Sequence, residues 1–376
     1  MALGSVGARA PGVATGLGIS DLYASPIFQA RSGSAHGYDV TDPTSLNPEL
    51  GTEADFDALV QGLKAHGMGL LLDMVPNHMA ASPENPWWVD LLENGPASPY
   101  SEFFDVDWKP AAGMFENQLV LPILEKPYHE VLESGELGLS LDEVGLNVRY
   151  YDYRLPLEVK SCGFVLTYTV AFIKSKGGIE PPYLGQLQGI IAATQNLPPY
   201  DATGPQDIQA RRQPAQQIKQ QLLDLASNTP EVSQLLDHTL AILSGKSGEL
   251  SSFNNLHRLL SRQPYRLHYW KTGRDQLNYR RFFDIAELGG VRVEDPQVFE
   301  ETHSLALRLA KEGKVNGLRL DHVDGLYDPI EYLHRLQDAL PTGSTASGQN
   351  FYVVVEKILF HDESLPPEWP IAGTTG

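Results

Sequence analysis

Polar side chains follow three apolar segments of the sequence, and each polar group carries a carboxylate. The three groups are Asp73-Met-Val-Pro-Asn77-His78, Arg319-Leu-Asp321-His322 and Glu356-Lys357. The carboxyl ends of parallel strands are where α/β sheets place their sites. Burying a carboxylate at such an end is costly unless it is paired or used. Each group alone fits a structural carboxylate equally well, but three at successive strand ends predict a functional site.

The spacing of Arg319, Asp321 and Glu356 predicts one ionised and one protonated carboxyl group. Side chains alternate along a strand, so Arg319 and Asp321 point the same way. We expect the guanidinium to lower the pKa of Asp321, which suits a nucleophile. The apolar run 352–355 favours the neutral form of Glu356 by desolvation, which suits a general acid. Two such carboxyls about 5–5.5 Å apart are the pair that retaining glycosyl transfer requires.

Short apolar runs alternate with amphipathic segments, which is typical of βα units and predicts an α/β fold. We predict strands at 19–24, 69–75, 317–323 and 352–358, and the start of a fifth at 371. Helices are predicted at 52–66, 296–312 and 328–340. In the first helix, Thr52 and Asp55 form an N-cap pattern. Its predicted buried face consists of Phe56, Leu59, Val60 and Leu63.

The βα pattern is interrupted between residues 81 and 290. This span has many aromatics and a Gln/Leu-rich region, with helical apolar spacing at 216–225 and 231–243. We interpret 81–290 as a large, mostly helical insertion. The remaining domains are an irregular N-terminus at 1–18, the first part of a catalytic barrel at 19–80 and its continuation at 291–376.

Composition excludes several classes of function. The 28 Lys+Arg and 47 Asp+Glu give a net charge of −19, which argues against a nucleic-acid surface. A single cysteine, Cys162, rules out an internal disulfide framework and fits a cytoplasmic protein. No apolar run approaches the ~20 residues that span a bilayer, so we expect no membrane partner. We predict no metal and no cofactor, because neither a calcium ligand set nor a Gly-rich phosphate loop is recognisable.

The three motifs resemble, in order, the first three conserved regions of the alpha-amylase superfamily, glycoside hydrolase family 13. Five further segments resemble the branch of that superfamily that forms α,α-1,1 linkages. They are LYASPIF, SAHGYDV, RYYDYR, QLNYRRFFDI and EWPIAGTTG. The resemblance extends over nearly the whole chain from about residue 18.

The resemblance implies an intramolecular transglucosylation on maltooligosaccharides. The α-1,4 bond at the reducing end would become an α,α-1,1 bond through a covalent glycosyl-enzyme. Asp321 would be the nucleophile and Glu356 the acid/base. The implied substrate-binding residues are Tyr38, Asp39, Asp73, Asn77, His78, Arg319, His322 and Lys357. Plainer interpretations stay open: loop packing for Tyr38, a structural cap for His78 and a solvated side chain for Lys357.

Two departures from the family pattern lead to a further expectation. Residues 1–18 do not resemble the family's first strand, and its fourth region, a His-Asp pair with the third catalytic carboxylate, has no counterpart here. We therefore expect an incomplete (β/α)8 TIM barrel and little or no activity of this chain alone. Alternative functions are an α-glucan hydrolase or transglucosidase, an inert carbohydrate-binding remnant, or a metal-dependent barrel of the aldolase or enolase type.

Overall fold

The computed structural model describes residues 18–110, 115–273, 275–342 and 350–375. The chain divides into two compact units. The first contains Met1–Pro86, Glu102–Asp105 and Arg281–Gly376, and the second contains Trp87–Ser101 and Val106–Arg280. The irregular start predicted at 1–18 lies, apart from Gly18, outside the described residues.

The strands in chain order are β1 (Asp21–Ala24), β2 (Phe28–Ala30), β3 (Val40–Leu46), β4 (Gly69–Met74), β5 (His78–Ala80), β6 (Leu119–Leu124), β7 (Leu137–Asp142), β8 (Gly145–Tyr150), β9 (Tyr153–Pro156), β10 (Tyr265–Tyr269), β11 (Arg281–Phe282), β12 (Ile285–Gly290), β13 (Gly317–Leu320), β14 (Tyr352–Val355) and β15 (Gly373–Thr374). The α-helices are α1 (Glu53–Ala65), α2 (Pro86–Asn94), α3 (Tyr128–Ser134), α4 (Lys160–Ser175), α5 (Leu184–Asn196), α6 (Pro205–Asn228), α7 (Pro230–Leu243), α8 (Asn254–Leu260), α9 (Trp270–Gly273), α10 (Pro296–Lys311) and α11 (Pro329–Ala339).

The main sheet of the first unit is parallel and has the strand order β1-β4-β13-β14-β15. The strands of this sheet lie side by side in the order in which they occur in the chain. Several of the connections between them contain a helix. The inner strands are buried on both faces, as expected for a parallel sheet covered by helices: Leu72, Leu318, Leu320 and Val353 have no exposed surface. The α/β class predicted from the sequence is confirmed.

Helix α1 shows how the local sequence sets an element. Thr52 and Asp55 form the reciprocal capping box, and the four residues predicted on its apolar face are all buried. The helix ends at Ala65, before Gly67, whose φ of +67° lies in the left-handed region where a residue without Cβ is favoured. Burial of this face fixes the helix against the sheet.

Two strands end three residues earlier than the sequence predicts. The strand predicted at 317–323 ends at Leu320, because His322 adopts a left-handed conformation with φ 48° and a 3₁₀ turn follows at Val323–Gly325. The strand predicted at 352–358 ends at Val355. Apolar residue type does not distinguish a strand from the turn that follows it.

The first unit also contains smaller sheets. β11, β12 and β5 form an antiparallel sheet, and β2 pairs with β3. Residues 285–290 therefore belong with His78–Ala80 of the first unit. The interpretation of residues 81–290 as an inserted domain stays a prediction.

The second unit contains strands as well as helices. β7, β8 and β9 form an antiparallel sheet, and β6 pairs in parallel with β10. These sheets are not part of the mostly helical pattern predicted from the sequence. The helices predicted at 216–225 and 231–243 are both present, as parts of the longer α6 and α7. Within the described ranges, no helix has the length and apolar character needed to cross a membrane.

Candidate active site

The parallel register brings the three predicted polar groups to one edge of the sheet. Arg319 lies beside Asp73 across the β13–β4 pair. Beyond the strand ends the ladder continues: the Asp321 N–H donates to the Met74 carbonyl at 2.8 Å, and the Glu356 N–H donates to the Leu320 carbonyl at 2.8 Å. Asp321 and Glu356 therefore occupy the first position after two adjacent strands, as the sequence predicted for their strand ends.

One guanidinium contacts three carboxylates. Arg319 Nη1 donates to Asp73 Oδ1 at 2.9 Å and to Asp321 Oδ1 at 2.6 Å, and its Nη2 lies 3.5 Å from Glu356 Oε1. We call these four residues the Arg319 cluster. The Asp73 side chain is fully buried and that of Asp321 is 9% exposed, whereas that of Glu356 is 35% exposed. A single positive charge thus serves three acidic groups, of which Glu356 is the most accessible.

Two tyrosines hold Asp73. The hydroxyl of Tyr38 donates to Asp73 Oδ2 at 2.6 Å, and Tyr23 donates to the same oxygen. Burial and the Asp73 carboxylate raise the pKa of both hydroxyls, so they act as proton donors at neutral pH. Asp73 thereby accepts hydrogen bonds from Arg319 and from two hydroxyls, contacts that help to hold Arg319 in place. Its predicted role in substrate binding stays a prediction.

The protonation of Asp321 differs from the prediction. Burial raises the pKa of Asp321 to about 7; the hydrogen bond from Arg319 acts in the opposite direction, and the charge of Glu356 adds to the rise. Arg319 lowers the pKa of Asp321 as predicted, but burial outweighs it, so the predicted net shift is wrong in sign. Asp321 consequently retains a proton close to neutral pH.

His322 contacts the cluster through its backbone. Its N–H donates to Glu356 Oε2 at 3.0 Å. Its ring lies 4.8 Å from that of Phe282 and 5.1 Å from that of Phe283. The strand has ended before His322, so strand alternation does not decide where its ring points.

Asn77 and His78 lie buried next to this edge of the sheet. The ring of His78, in β5, is 4.2 Å from the ring of Phe282. A Cβ at Gly325 would approach Asn77 Oδ1 to 2.5 Å and His322 Cδ2 to 2.6 Å. The turn after β13 therefore requires a glycine at position 325 to lie against Asn77.

Two predicted substrate-binding residues have partners outside the Arg319 cluster. Lys357 Nζ lies 3.2 Å from Asp324 and 2.6 Å from Glu363. Asp39 accepts a hydrogen bond from Ser34 within its own loop. These contacts fit loop-stabilising roles, so a role of either residue in substrate binding stays a prediction.

Sequence reasoning missed Tyr23, Phe282, Phe283 and Thr374. Tyr23 is one residue from the end of β1, a position comparable to that of Asp73 in β4, and this spacing could have identified it. Thr374 Oγ1 donates to the Lys357 carbonyl at 2.7 Å and accepts from the Lys357 N–H at 3.2 Å. It fixes the backbone next to Glu356, a contact with a segment 17 residues earlier in the chain that no local pattern indicates.

The donor set is that of an ion-pair network. Across the described ranges, no group of three His, Cys, Asp or Glu side chains is arranged to hold a metal ion. The carboxylates of the Arg319 cluster instead share a guanidinium. What this arrangement can do is hold one nucleophilic carboxylate and one proton donor beside each other at an accessible edge.

Comparison with known proteins gives a consistent picture. The alpha-amylase catalytic-domain family matches residues 14–128. Proteins described as putative maltooligosyl trehalose synthase from two strains of Mycobacterium tuberculosis are 34% identical over 362 residues, which is 96% of this chain and 33% of theirs. The chain therefore spans about a third of the length of these curated relatives.

Solved structures show the same similarity. Maltooligosyltrehalose synthase from Arthrobacter ramosus superposes with a TM-score of 0.63 at 30% identity, covering 100% of this chain and 35% of that one. A hypothetical maltooligosyl trehalose synthase from Sulfolobus tokodaii superposes with a TM-score of 0.63 at 27% identity, over 100% of this chain and 36% of that one.

Proposed function

We propose that this chain, a homologue of maltooligosyl trehalose synthases over 96% of its length, carries the nucleophile and the acid/base of an intramolecular glucosyltransferase. The proposed substrate is a maltooligosaccharide. The proposed reaction converts its reducing-end α-1,4 linkage to an α,α-1,1 linkage, which is an isomerisation.

The observation that carries this proposal is the position of Asp321 and Glu356 on one guanidinium. The two carboxyl groups follow adjacent parallel strands, and Arg319 contacts both. Retaining glycosyl transfer requires two carboxyls near one anomeric carbon, with one proton between them. The raised pKa of Asp321 supports the presence of that proton.

In the first step, Asp321 would attack the anomeric carbon of the glucosyl unit next to the reducing end. The C1–O4 bond breaks, and Glu356 gives its proton to the oxygen of the departing glucose. Glu356 suits this role because its carboxyl is the most accessible of the cluster. Developing positive charge on the sugar favours the ionised form of Asp321, so the proton of Asp321 would pass to Glu356 as the substrate reacts.

In the second step, the freed glucose would present its anomeric hydroxyl to the covalent intermediate. Glu356 accepts the proton of that hydroxyl, the new C1–O1 bond forms, and Asp321 is released as carboxylate. Attack by water instead would release glucose. The ratio of the two products therefore measures how well the site retains glucose and excludes water.

The surrounding residues would position the sugar. Tyr38 is placed by its bond to Asp73, and Arg319 Cζ lies 6.0 Å from its ring centroid. We propose that this ring stacks on the reacting glucose unit, as the resemblance implies. His78, Asn77 and His322 line the same edge through the contacts described above and would bind hydroxyl groups.

We further propose that the parallel sheet forms part of a (β/α)8 barrel. Its strand order follows the chain without reversal, which is the order of a barrel and not of a doubly wound sheet. An unclosed parallel sheet has free edges, so we expect the 376 residues expressed alone to give no measurable turnover.

The expected absence of a cofactor and the cytoplasmic location also stay proposals.

A chimera tests the function directly. The 376 residues replace the matching 35% of the Arthrobacter ramosus enzyme, and the product is incubated with maltohexaose. We expect a non-reducing product of unchanged mass, and none from a Glu356→Gln version. Release of glucose or maltose without that product would assign the chain to hydrolysis, and a folded chimera without turnover would contradict the proposal.

A further inference from the structure

A cavity lies wholly within the second unit and contains no residue of the Arg319 cluster. Its volume is about 410 Å³, within the range of small-molecule sites. All of β10 lines it, together with residues of α3, α8 and α9. Its polar and aromatic lining consists of Phe115, Tyr128, His257, Tyr265, Arg266, His268, Tyr269 and Thr272.

Aromatic rings form much of this lining. The ring of Phe115 meets that of His268 edge-on at 4.9 Å. Tyr269 is followed by Trp270, which is 55% exposed, and their ring centroids are 6.3 Å apart. An exposed tryptophan beside a tyrosine-lined cavity offers flat apolar faces to a ligand from solvent.

Hydrogen-bonding groups are distributed among these rings. The Tyr128 hydroxyl and His257 Nδ1 are 3.1 Å apart, and Thr272 is bonded to the Tyr269 carbonyl at 3.2 Å. Arg266 Nε donates to Gln118 Oε1 at 2.8 Å, which fixes the guanidinium at the cavity. Both donors and acceptors are thus available to a ligand with several hydroxyl groups.

The charge of the cavity lining argues against a cationic ligand. Burial and the neighbouring Arg266 lower the pKa of His268, so its imidazole is uncharged at neutral pH. The residues described as lining the cavity include no carboxylate, which disfavours a cation. Arg266 is the permanently charged residue of this lining, and its bond to Gln118 orients it. Lys271, which is not part of the lining, lies with its Nζ 5.9 Å from the ring centroid of Tyr269 and 5.4 Å from that of Trp270.

We propose that this cavity binds glucosyl units of an α-1,4-glucan, with Tyr269 and Trp270 as stacking surfaces and Arg266, His268 and Tyr128 as hydroxyl partners. The inference rests on the proposed function for the choice of sugar. A glucose ring has apolar faces and a rim of hydroxyl groups, which matches aromatic faces flanked by neutral donors and acceptors. The site would hold the part of a long chain that does not react.

The test is titration of the 376-residue chain with maltotetraose by calorimetry, for wild type, Tyr269→Ala and His268→Ala. We expect each variant to bind at this site about tenfold more weakly or worse. Tyr151→Ala is the matched control, an exposed tyrosine of the same unit whose hydroxyl contacts Glu136, and it should bind as wild type. Thermal unfolding by circular dichroism checks that the variants are folded.

The proposal would be overturned if the wild-type chain did not bind maltotetraose, or if both folded variants bound it as tightly as wild type. It would also be overturned if inorganic phosphate displaced the sugar, since that would show that the cavity is an anion site. Glu356→Gln separates this site from the Arg319 cluster, since it should retain the binding that Tyr269→Ala removes. Chimera turnover is measured independently. If the chimera showed no turnover while the cavity still bound maltotetraose, the proposed reaction would be contradicted and the proposed cavity site would not.

Discussion

Replacing Asp321 by asparagine should stabilise the fold while removing activity. Burial raises the pKa of Asp321 from its ordinary 3.8 to about 7. Below pH 3.8 the carboxyl is protonated in both the folded and the unfolded chain. Between these two pH values only the unfolded chain is ionised, so the free energy of unfolding falls as pH rises, and above about 7 the full cost is present. The asparagine side chain resembles the neutral carboxyl at every pH.

The magnitude follows from the same pKa. Each pKa unit corresponds to about 1.4 kcal/mol, so ionised Asp321 costs the fold about 4 kcal/mol at about pH 8. The corresponding cost at about pH 5 is about 2 kcal/mol. The attraction of Arg319 is already contained in the pKa, and Arg319 keeps its bond to Asp73 in the variant. Asp321→Asn should therefore raise the free energy of unfolding by a few kcal/mol at the higher pH and by less at the lower pH.

The assay is urea unfolding of the 376-residue chain at the two pH values, with hydrogen exchange of the Gly317–Leu320 amides as a probe of the first unit. Asp224→Asn, an exposed carboxylate of α6, is the matched control and should change stability by no more than about 0.5 kcal/mol. A variant less stable than wild type at about pH 8, or a gain that does not depend on pH, would refute the reasoning.

Three further predictions concern the same edge of the sheet. Glu356→Gln in the chimera should lower turnover of maltohexaose at least a thousandfold, on the order of general acid–base contributions, measured as non-reducing product; a loss below tenfold would remove Glu356 from the acid/base role. Tyr38→Phe deletes a donor to buried Asp73 and should lower the free energy of unfolding by about 1–3 kcal/mol; unchanged urea unfolding would show that Asp73 does not depend on it. Gly325→Ala places a Cβ 2.5 Å from Asn77 Oδ1 and should lower the melting temperature. Gly185→Ala in α5 is the control and should not lower it, because the added Cβ meets no neighbouring element within 4 Å. Equal effects of the two variants on the melting temperature would contradict the steric argument.

The sequence predicted the elements that have local causes. The capping box of α1 and its buried face follow from residue type and spacing. The prediction that Asp73, Arg319, Asp321 and Glu356 gather is confirmed by their contacts, because strand ends in a parallel sheet share an edge.

The features that were not predicted depend on contacts between distant segments. The pKa of Asp321 depends first on how deeply the folded chain buries it and then on the nearby charge of Glu356, neither of which spacing within one strand reveals. The early end of β13 depends on the left-handed conformation of His322. The partners of Lys357, Asp324 and Glu363, come from two different loops. In each case a local pattern gives the residue but not its neighbours.

Trapping of the covalent intermediate tests the central claim most directly. The chimera is incubated with a fluorinated maltosyl fluoride that forms the glycosyl-enzyme but hydrolyses slowly, and the modified peptide is located by mass spectrometry. We predict one glycosyl group attached to Asp321. Attachment to Glu356 or to any other side chain, or turnover that proceeds without an adduct, would contradict the account.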